Sequence, residues 1–75
     1  MKVCVNRPFM PYLSERSCDS TSDVIATVAE ETQDLVEKGF ALDDEETAYG
    51  NPTVLKFERS RAGHEEFATI VAYFS

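Results

Sequence analysis

One segment of this chain has the periodicity of an amphipathic helix, and it limits what 75 residues can build. The segment runs roughly from Ser22 to Lys38, after cap-forming side chains at residues 20–22 and before a helix-ending Gly39. Its apolar arc comprises Val24, Ile25, Val28, Thr32, Leu35 and Val36. Its acidic arc comprises Asp23, Glu30, Asp34 and Glu37, with Glu31 at the edge. Such a helix must bury one face against another layer of structure.

The patterns in the remaining sequence predict strands. Residues Thr53 to Arg59 alternate between apolar and polar side chains, and Glu66 to Phe74 are rich in β-branched and aromatic residues. The stretch Arg61 to His64 between them has the composition of a turn, so the two runs form an antiparallel hairpin. Lys2 to Asn6 predicts a short first strand.

A further short strand is expected near Glu45 to Tyr49, turning at residues 50–52 before the hairpin. The predicted order is β-α-(β)-β-β over a single domain that spans residues 1–75. The expected fold class is therefore α+β, with one amphipathic helix packed on a three- to four-stranded, mostly antiparallel sheet.

The last predicted strand is apolar on both faces. One face carries Ala68, Ile70, Ala72 and Phe74, and the other carries Phe67, Val71 and Tyr73 with Thr69. A strand in a two-layer domain is normally polar on its solvent side. Either another segment covers the second face, or that face is an exposed patch that binds a partner.

The apolar segment "RPFMPYL", residues 7–13, is a candidate for that cover. Its two prolines prevent it from continuing the first strand, because proline has no amide hydrogen for the sheet. Phe9, Met10, Tyr12 and Leu13 either fold back over the second face or a core edge, or take part in an interface. The candidate apolar surface for a dimer or partner comprises Phe9, Met10, Tyr12, Phe67, Val71 and Tyr73.

No constellation in the sequence supports catalysis. His64, Glu65 and Glu66 match the start of a zinc-binding HExxH motif, but position 68 is alanine rather than histidine. The run at residues 43–46 lacks the alternating acids and central glycine of a calcium loop. Cys4 and Cys18 are expected to be free thiols in a reducing compartment. We therefore predict no enzymatic activity, no metal site and no cofactor.

Acidity is the strongest departure from average composition. The chain has 14 acidic and 7 basic residues, a net charge of -7, and residues 19–46 hold ten acids against one lysine. Such a surface repels nucleic acids and anionic membranes, so neither is an expected partner. The candidate partner-binding residues are Asp23, Glu30, Glu31, Asp34, Glu37, Asp43, Asp44, Glu45 and Glu46.

These features predict an interaction protein whose acidic helix docks on a basic protein surface. In size and charge the chain resembles the accessory inhibitors encoded by phages and mobile elements, including anti-CRISPR proteins. That resemblance implies a basic partner that itself binds nucleic acid, and a location in the host cytoplasm. No apolar run has the length of a membrane span, and no signal peptide is expected.

An alternative is a homo-oligomeric structural or small-ligand-binding domain. In this hypothesis the apolar sheet face buries against a second copy of the chain. The predicted element order is similar to that of dodecins, which are small flavin-binding oligomers, although this chain has no tryptophan to stack on a flavin.

Overall fold

A computed structural model describes residues 1–47 and 52–75, with side chains described for all of these except 45–47. The elements are β1 (Lys2–Asn6), β2 (Leu13–Ser17), α1 (Thr21–Glu37), β3 (Ala41–Thr47), β4 (Thr53–Arg61) and β5 (His64–Tyr73). Over the described ranges the strands form one five-stranded sheet in the order β2-β1-β5-β4-β3, and all neighbouring pairs are antiparallel.

The α+β class is confirmed, but the predicted count of three to four strands is wrong. The missed strand is β2, which lies between β1 and the helix and changes the order to β-β-α-β-β-β. Its sequence "LSERS" shows no apolar alternation because β2 is an edge strand whose residues are mostly exposed. The predicted element order, which is similar to that of dodecins, lacks β2 and is therefore also wrong.

The helix α1 lies within one residue of its predicted bounds at each end. The side chain of Ser20 accepts a hydrogen bond from the amide of Asp23 at 3.2 Å and caps the N-terminus. At the other end Gly39 adopts a φ of +92°, and the amide of Phe40 donates a hydrogen bond to the carbonyl of Leu35 at 3.0 Å. This closing turn is the one that glycine permits after a helix.

The core lies between α1 and one face of the sheet. Its buried apolar side chains are Val3, Val5, Val24, Leu35, Phe40, Phe57, Ala68, Ile70 and Ala72. The predicted inward face of the last strand is thus confirmed for Ala68, Ile70 and Ala72.

The predicted buried arc of the helix is wrong at two positions. Val24 and Leu35 are buried and Val28 is partly buried, but Ile25 and Val36 are exposed. The reason is the position of α1 over β1 and β5. A helix about 10 Å wide spans roughly two strands spaced about 4.8 Å apart, so its flanks lie beside the core rather than on it.

The predicted β4–β5 hairpin is confirmed, and it closes through a two-residue turn. Arg61 pairs with His64, and the intervening Ala62 and Gly63 have φ angles of 52° and 79°. Two positive φ values identify the turn type that matches the twist of the strands. Glycine adopts this conformation freely, whereas alanine is strained there.

Replacing Ala62 with asparagine should stabilise the protein, because asparagine tolerates the left-handed conformation better than alanine. We expect the free energy of unfolding to rise by about 0.5–1 kcal/mol in urea denaturation. Ala62→Val is the matched control, and its β-branched side chain should lower stability. A loss of stability in Ala62→Asn would contradict the turn conformation.

Candidate protein-interaction surfaces

Four of the predicted acidic residues form an exposed row that we call the acidic flank: Asp23, Glu30, Asp34 and Glu37. The flank lies on the side of α1 above β2, because Arg16 of β2 donates a 2.8 Å hydrogen bond from Nη1 to Oε2 of Glu30. This bond raises the pKa of the Arg16 guanidinium. Lys38 binds Asp34 one helical turn away, and Gln33 donates to Glu37 at 3.2 Å.

Glu31 does not belong to the acidic flank, although the sequence placed it at the edge of the acidic arc. Its side chain is 15% exposed and faces Arg7, which is 6% exposed and donates from Nη2 to Oε2 at 3.3 Å. Arg7 also donates to the carbonyl of Pro11 and to Oγ of Ser14, both at 2.9 Å. The Arg7–Glu31 pair thus joins the helix to the loop between β1 and β2.

The acidic run at residues 43–46 lies in strand β3, which begins at Ala41, four residues before the strand predicted near Glu45 to Tyr49. The predicted end of that strand at residues 48–49 and the start of the predicted turn at residues 50–51 lie outside the described residues. Because β3 and β2 are opposite edges of the sheet, this run is separated from the acidic flank. Charged side chains on an edge strand prevent pairing with other sheets. In the described ranges no group of His, Cys, Asp or Glu side chains is placed to hold a metal ion.

No element among the described residues covers the sheet face turned away from α1, and we call it the open face. Register places apolar or weakly polar side chains on it, among them Cys4, Leu13, Val54, Phe67, Val71 and Tyr73. The same register places charged side chains among them: Lys2, Glu15, Asp44, Lys56 and Glu58. Phe67 is 59% exposed and Leu13 is 73% exposed. A shallow groove of about 470 Å³ runs between Cys4, Leu13 and Val71. The predicted outward side of the last strand, with Phe67, Val71 and Tyr73, is therefore where the sequence placed it.

Polar groups at the β1–β2 side of the open face are paired with one another. Lys2 forms a 2.9 Å ion pair with Glu15, which lowers the pKa of that carboxyl and raises the pKa of the lysine. The lysine ammonium also lies 5.2 Å from the ring centre of Tyr73. Burial and the nearby Glu15 raise the pKa of the Cys4 thiol, so Cys4 remains protonated and is a poor nucleophile.

Of the four apolar residues of "RPFMPYL" that were expected to fold back or to form an interface, only Phe9 covers a core edge. Phe9 packs against Phe40 with ring centres 6.1 Å apart, and the guanidinium of Arg59 lies 4.4 Å from the ring centre of Phe40. Met10 and Tyr12 are exposed. The open face therefore has no cover from this loop beyond Leu13 at its margin.

Sequence reasoning did not select Cys4, Val54 or the buried Arg7, and it named Leu13 only among the residues that fold back or take part in an interface. The alternation of side chains in Lys2–Asn6 and Thr53–Arg59 shows which residues share a strand face with Cys4 and Val54. It does not show which face of the sheet the helix covers. No local signal indicates that Arg7 is buried. Both cysteines are free thiols.

Comparison with known proteins does not identify a family for this chain. No family model matches the chain, and neither a curated protein nor a solved structure matches it. Within the described residues, no helix is long and apolar enough to cross a membrane.

Arg7 and Arg16 both contact Glu31, and they provide a matched test of burial. Arg7→Ala should lower the free energy of unfolding by about 2–4 kcal/mol, because it leaves a largely buried carboxylate and a carbonyl without their donor. Arg16→Ala should have a much smaller effect, since the Arg16 side chain is exposed and solvent screens its ion pair with Glu30. Urea denaturation measures both, and equal small losses would contradict a structural role for the Arg7–Glu31 pair.

Proposed function

We propose that this protein is a non-enzymatic interaction protein that docks its acidic flank on a basic surface of another protein. The supporting observation is that Asp23, Glu30, Asp34 and Glu37 share one flank of α1 and that none of them is buried. Residues three or four apart on a helix have Cβ atoms about 5–6 Å apart. Glu30, Asp34 and Glu37 have this spacing, whereas Asp23 lies about 10 Å before Glu30 along the helix. Such a row of anions offers a basic groove the kind of charge that a nucleic-acid backbone offers.

The cations that already contact the acidic flank leave it available. Arg16–Glu30 and Lys38–Asp34 are ion pairs between side chains that are about half exposed. Such pairs contribute about 0–1 kcal/mol, because solvent screens them and ordering two long side chains costs entropy. Arginines or lysines of a partner can therefore replace them with little loss, and the displaced cations return to solvent.

The charge around the helix favours attraction from a distance. Residues 16–38 hold six carboxylates against Arg16 and Lys38. Complementary charge of this kind accelerates encounter with a basic protein and disfavours acidic competitors. Association should therefore be fast at low salt and should weaken as salt screens the charges.

The resemblance in size and charge to phage-encoded inhibitors extends the proposal to the class of partner. In this hypothesis the partner is a host protein with a basic, nucleic-acid-binding surface, and the chain acts as an inhibitor of the anti-CRISPR kind in the host cytoplasm. Occupation of that surface would exclude nucleic acid by sterics and by charge.

The decisive variant neutralises the acidic flank without changing side-chain size. Glu30→Gln, Asp34→Asn and Glu37→Gln together should weaken binding about tenfold or more, because they remove the anions that a basic surface contacts. The probe is the heparin-binding protein fraction of a bacterial lysate, applied to the immobilised chain at low and high salt. Retained proteins should elute from wild type with salt and should be absent from the flank variant.

The matched control removes three carboxylates from strands outside the flank: Asp43→Asn, Glu58→Gln and Glu65→Gln. It has the same net charge as the flank variant, so it should retain the same proteins as wild type. Equal loss of binding in both variants would show that net charge alone acts, and binding indifferent to salt would contradict the proposal.

A further inference from the structure

We infer that the open face binds an amphipathic helix of a partner protein, with an arginine or lysine of that helix seated beside Phe67. The inference is independent of the proposed function, because the acidic flank lies on α1 and the open face is turned away from α1. It rests on two observations: an apolar strip along β5, and negative charge without a counter-ion at one end of that strip.

The β5 strip, as we call it, consists of Phe67, Thr69, Val71 and Tyr73, which alternate with the buried residues of the central strand. Its length is roughly 20 Å, at about 3.4 Å per residue. A helix of about 14 residues rises the same distance, at about 1.5 Å per residue. A mostly apolar row of this length on an exposed sheet face marks a binding surface.

The width of the apolar surface fits one helix better than a second sheet. Cys4 of β1 and Val54 of β4 extend the strip on either side of Val71. The next position beyond Cys4 is Glu15, and the next outward residue along β4 is Lys56. The apolar part is therefore three strands, or about 10 Å, across, which is the diameter of a helix. A second sheet would also bury the charged side chains around it, at a cost in free energy.

The groove beside the strip gives the partner helix a place for its apolar side chains. It has a volume of about 470 Å³ between Cys4, Leu13 and Val71, and Asn6 and Thr69 also line it. Leu13 is 73% exposed, so a side chain inserted into the groove would bury part of Leu13 as well. An amphipathic helix that places its apolar residues in such a groove is a recurring mode of peptide recognition.

Charge indicates the chemistry of the occupant. The open face has more carboxylates than lysines, so it favours a cationic partner over a second copy of this chain, whose net charge is -7. The excess is not evenly spread. Lys2 forms an ion pair with Glu15, and Lys56 stands opposite Asp44 in the register. The excess charge therefore lies at the end of the face near the β4–β5 turn.

Phe67 stands at that end between two carboxylates. Glu58 lies directly opposite it on β4, with Cβ atoms about 5 Å apart, and Glu65 precedes it by two residues, about 7 Å away on the same face. Neither carboxylate forms an ion pair with another described residue, and the nearby Arg59 pairs with Glu66 on the opposite face. A guanidinium or ammonium over the ring would contact the ring and both carboxylates.

A peptide selection tests this occupant without assuming its sequence. The target is the flank variant (Glu30→Gln, Asp34→Asn and Glu37→Gln), so that the acidic flank cannot select cationic peptides. The library is a phage-displayed set of peptides of about 14 residues, randomised at all positions. Enriched peptides should carry an apolar stripe of helical spacing with an arginine or lysine at one end, and should bind wild type with a dissociation constant of roughly micromolar order.

Substitutions at equally exposed positions locate the binding of the selected peptides. Phe67 on the open face and Ile25 on α1 are each 59% exposed. Phe67→Ala should weaken binding about tenfold, because it removes the ring under the cation and part of the apolar strip. Ile25→Ala should leave binding unchanged, and circular dichroism checks that both variants fold.

A charge-matched pair tests the two carboxylates. Glu58→Gln with Glu65→Gln should weaken binding about tenfold, because it removes both anions that contact the cation. Glu30→Gln with Glu37→Gln has the same net charge but changes the acidic flank, so it should leave binding unchanged.

Thiol labelling of the wild-type chain gives a second measurement that does not depend on a variant. Cys4 lines the groove on the open face, whereas Cys18 lies beside Thr27 of α1 with 3.7 Å between Sγ and Oγ1. A saturating selected peptide should slow modification of Cys4 by N-ethylmaleimide at least about tenfold, because it covers the groove. The rate at Cys18 should not change.

A selection that enriches no peptide, enriched peptides without a cation, or binding that is unchanged in Phe67→Ala would overturn the inference. A wild-type dimer in light scattering that dissociates in Phe67→Glu would assign the open face to a second copy and overturn it as well. A helix with one cation binds heparin weakly, since affinity for a polyanion grows with the number of cations. The occupant therefore lies outside the fraction that tests the acidic flank, and failure of either proposal is distinguishable from failure of the other.

Discussion

The packing of Val24 and Leu35 of α1 onto the face of β1 and β5 is the contact on which the rest of the structure depends. It sets the helix over part of the sheet rather than over its full width. One consequence is that the acidic flank lies above β2, where Arg16 reaches it. The other is that the helix packs its apolar side chains on one face of the sheet only and does not cover the opposite face.

Electrostatics then divides the molecule into two chemically different sides. The cations Arg7 and Arg16 hold the helix to the β1–β2 unit, and Glu31 is buried in doing so. Of the other 13 acidic residues, eight lie on the exposed flank of α1 and along the edge strand β3. The open face combines apolar side chains with two lysines and with the carboxylates of Glu15, Asp44, Glu58 and Glu65.

The sequence by itself determined the elements that depend on local periodicity. The bounds of α1 follow from Ser20 and Gly39, and the β4–β5 hairpin follows from alternation around a two-residue turn. The apolar character of both faces of β5 was likewise readable from Phe67 to Tyr73. These features depend on residues that are close in the chain, so local physical rules were enough to predict them.

Tertiary structure alone decided the rest. Strand β2 forms because the loop held by Arg7 brings the polar residues of β2 beside β1. Nothing in "LSERS" alone indicates a strand. The inward turn of Glu31 and the exposure of Ile25 and Val36 follow from where the helix lies across the sheet. That position is fixed by contacts between residues far apart in the sequence, and local periodicity carries no information about them.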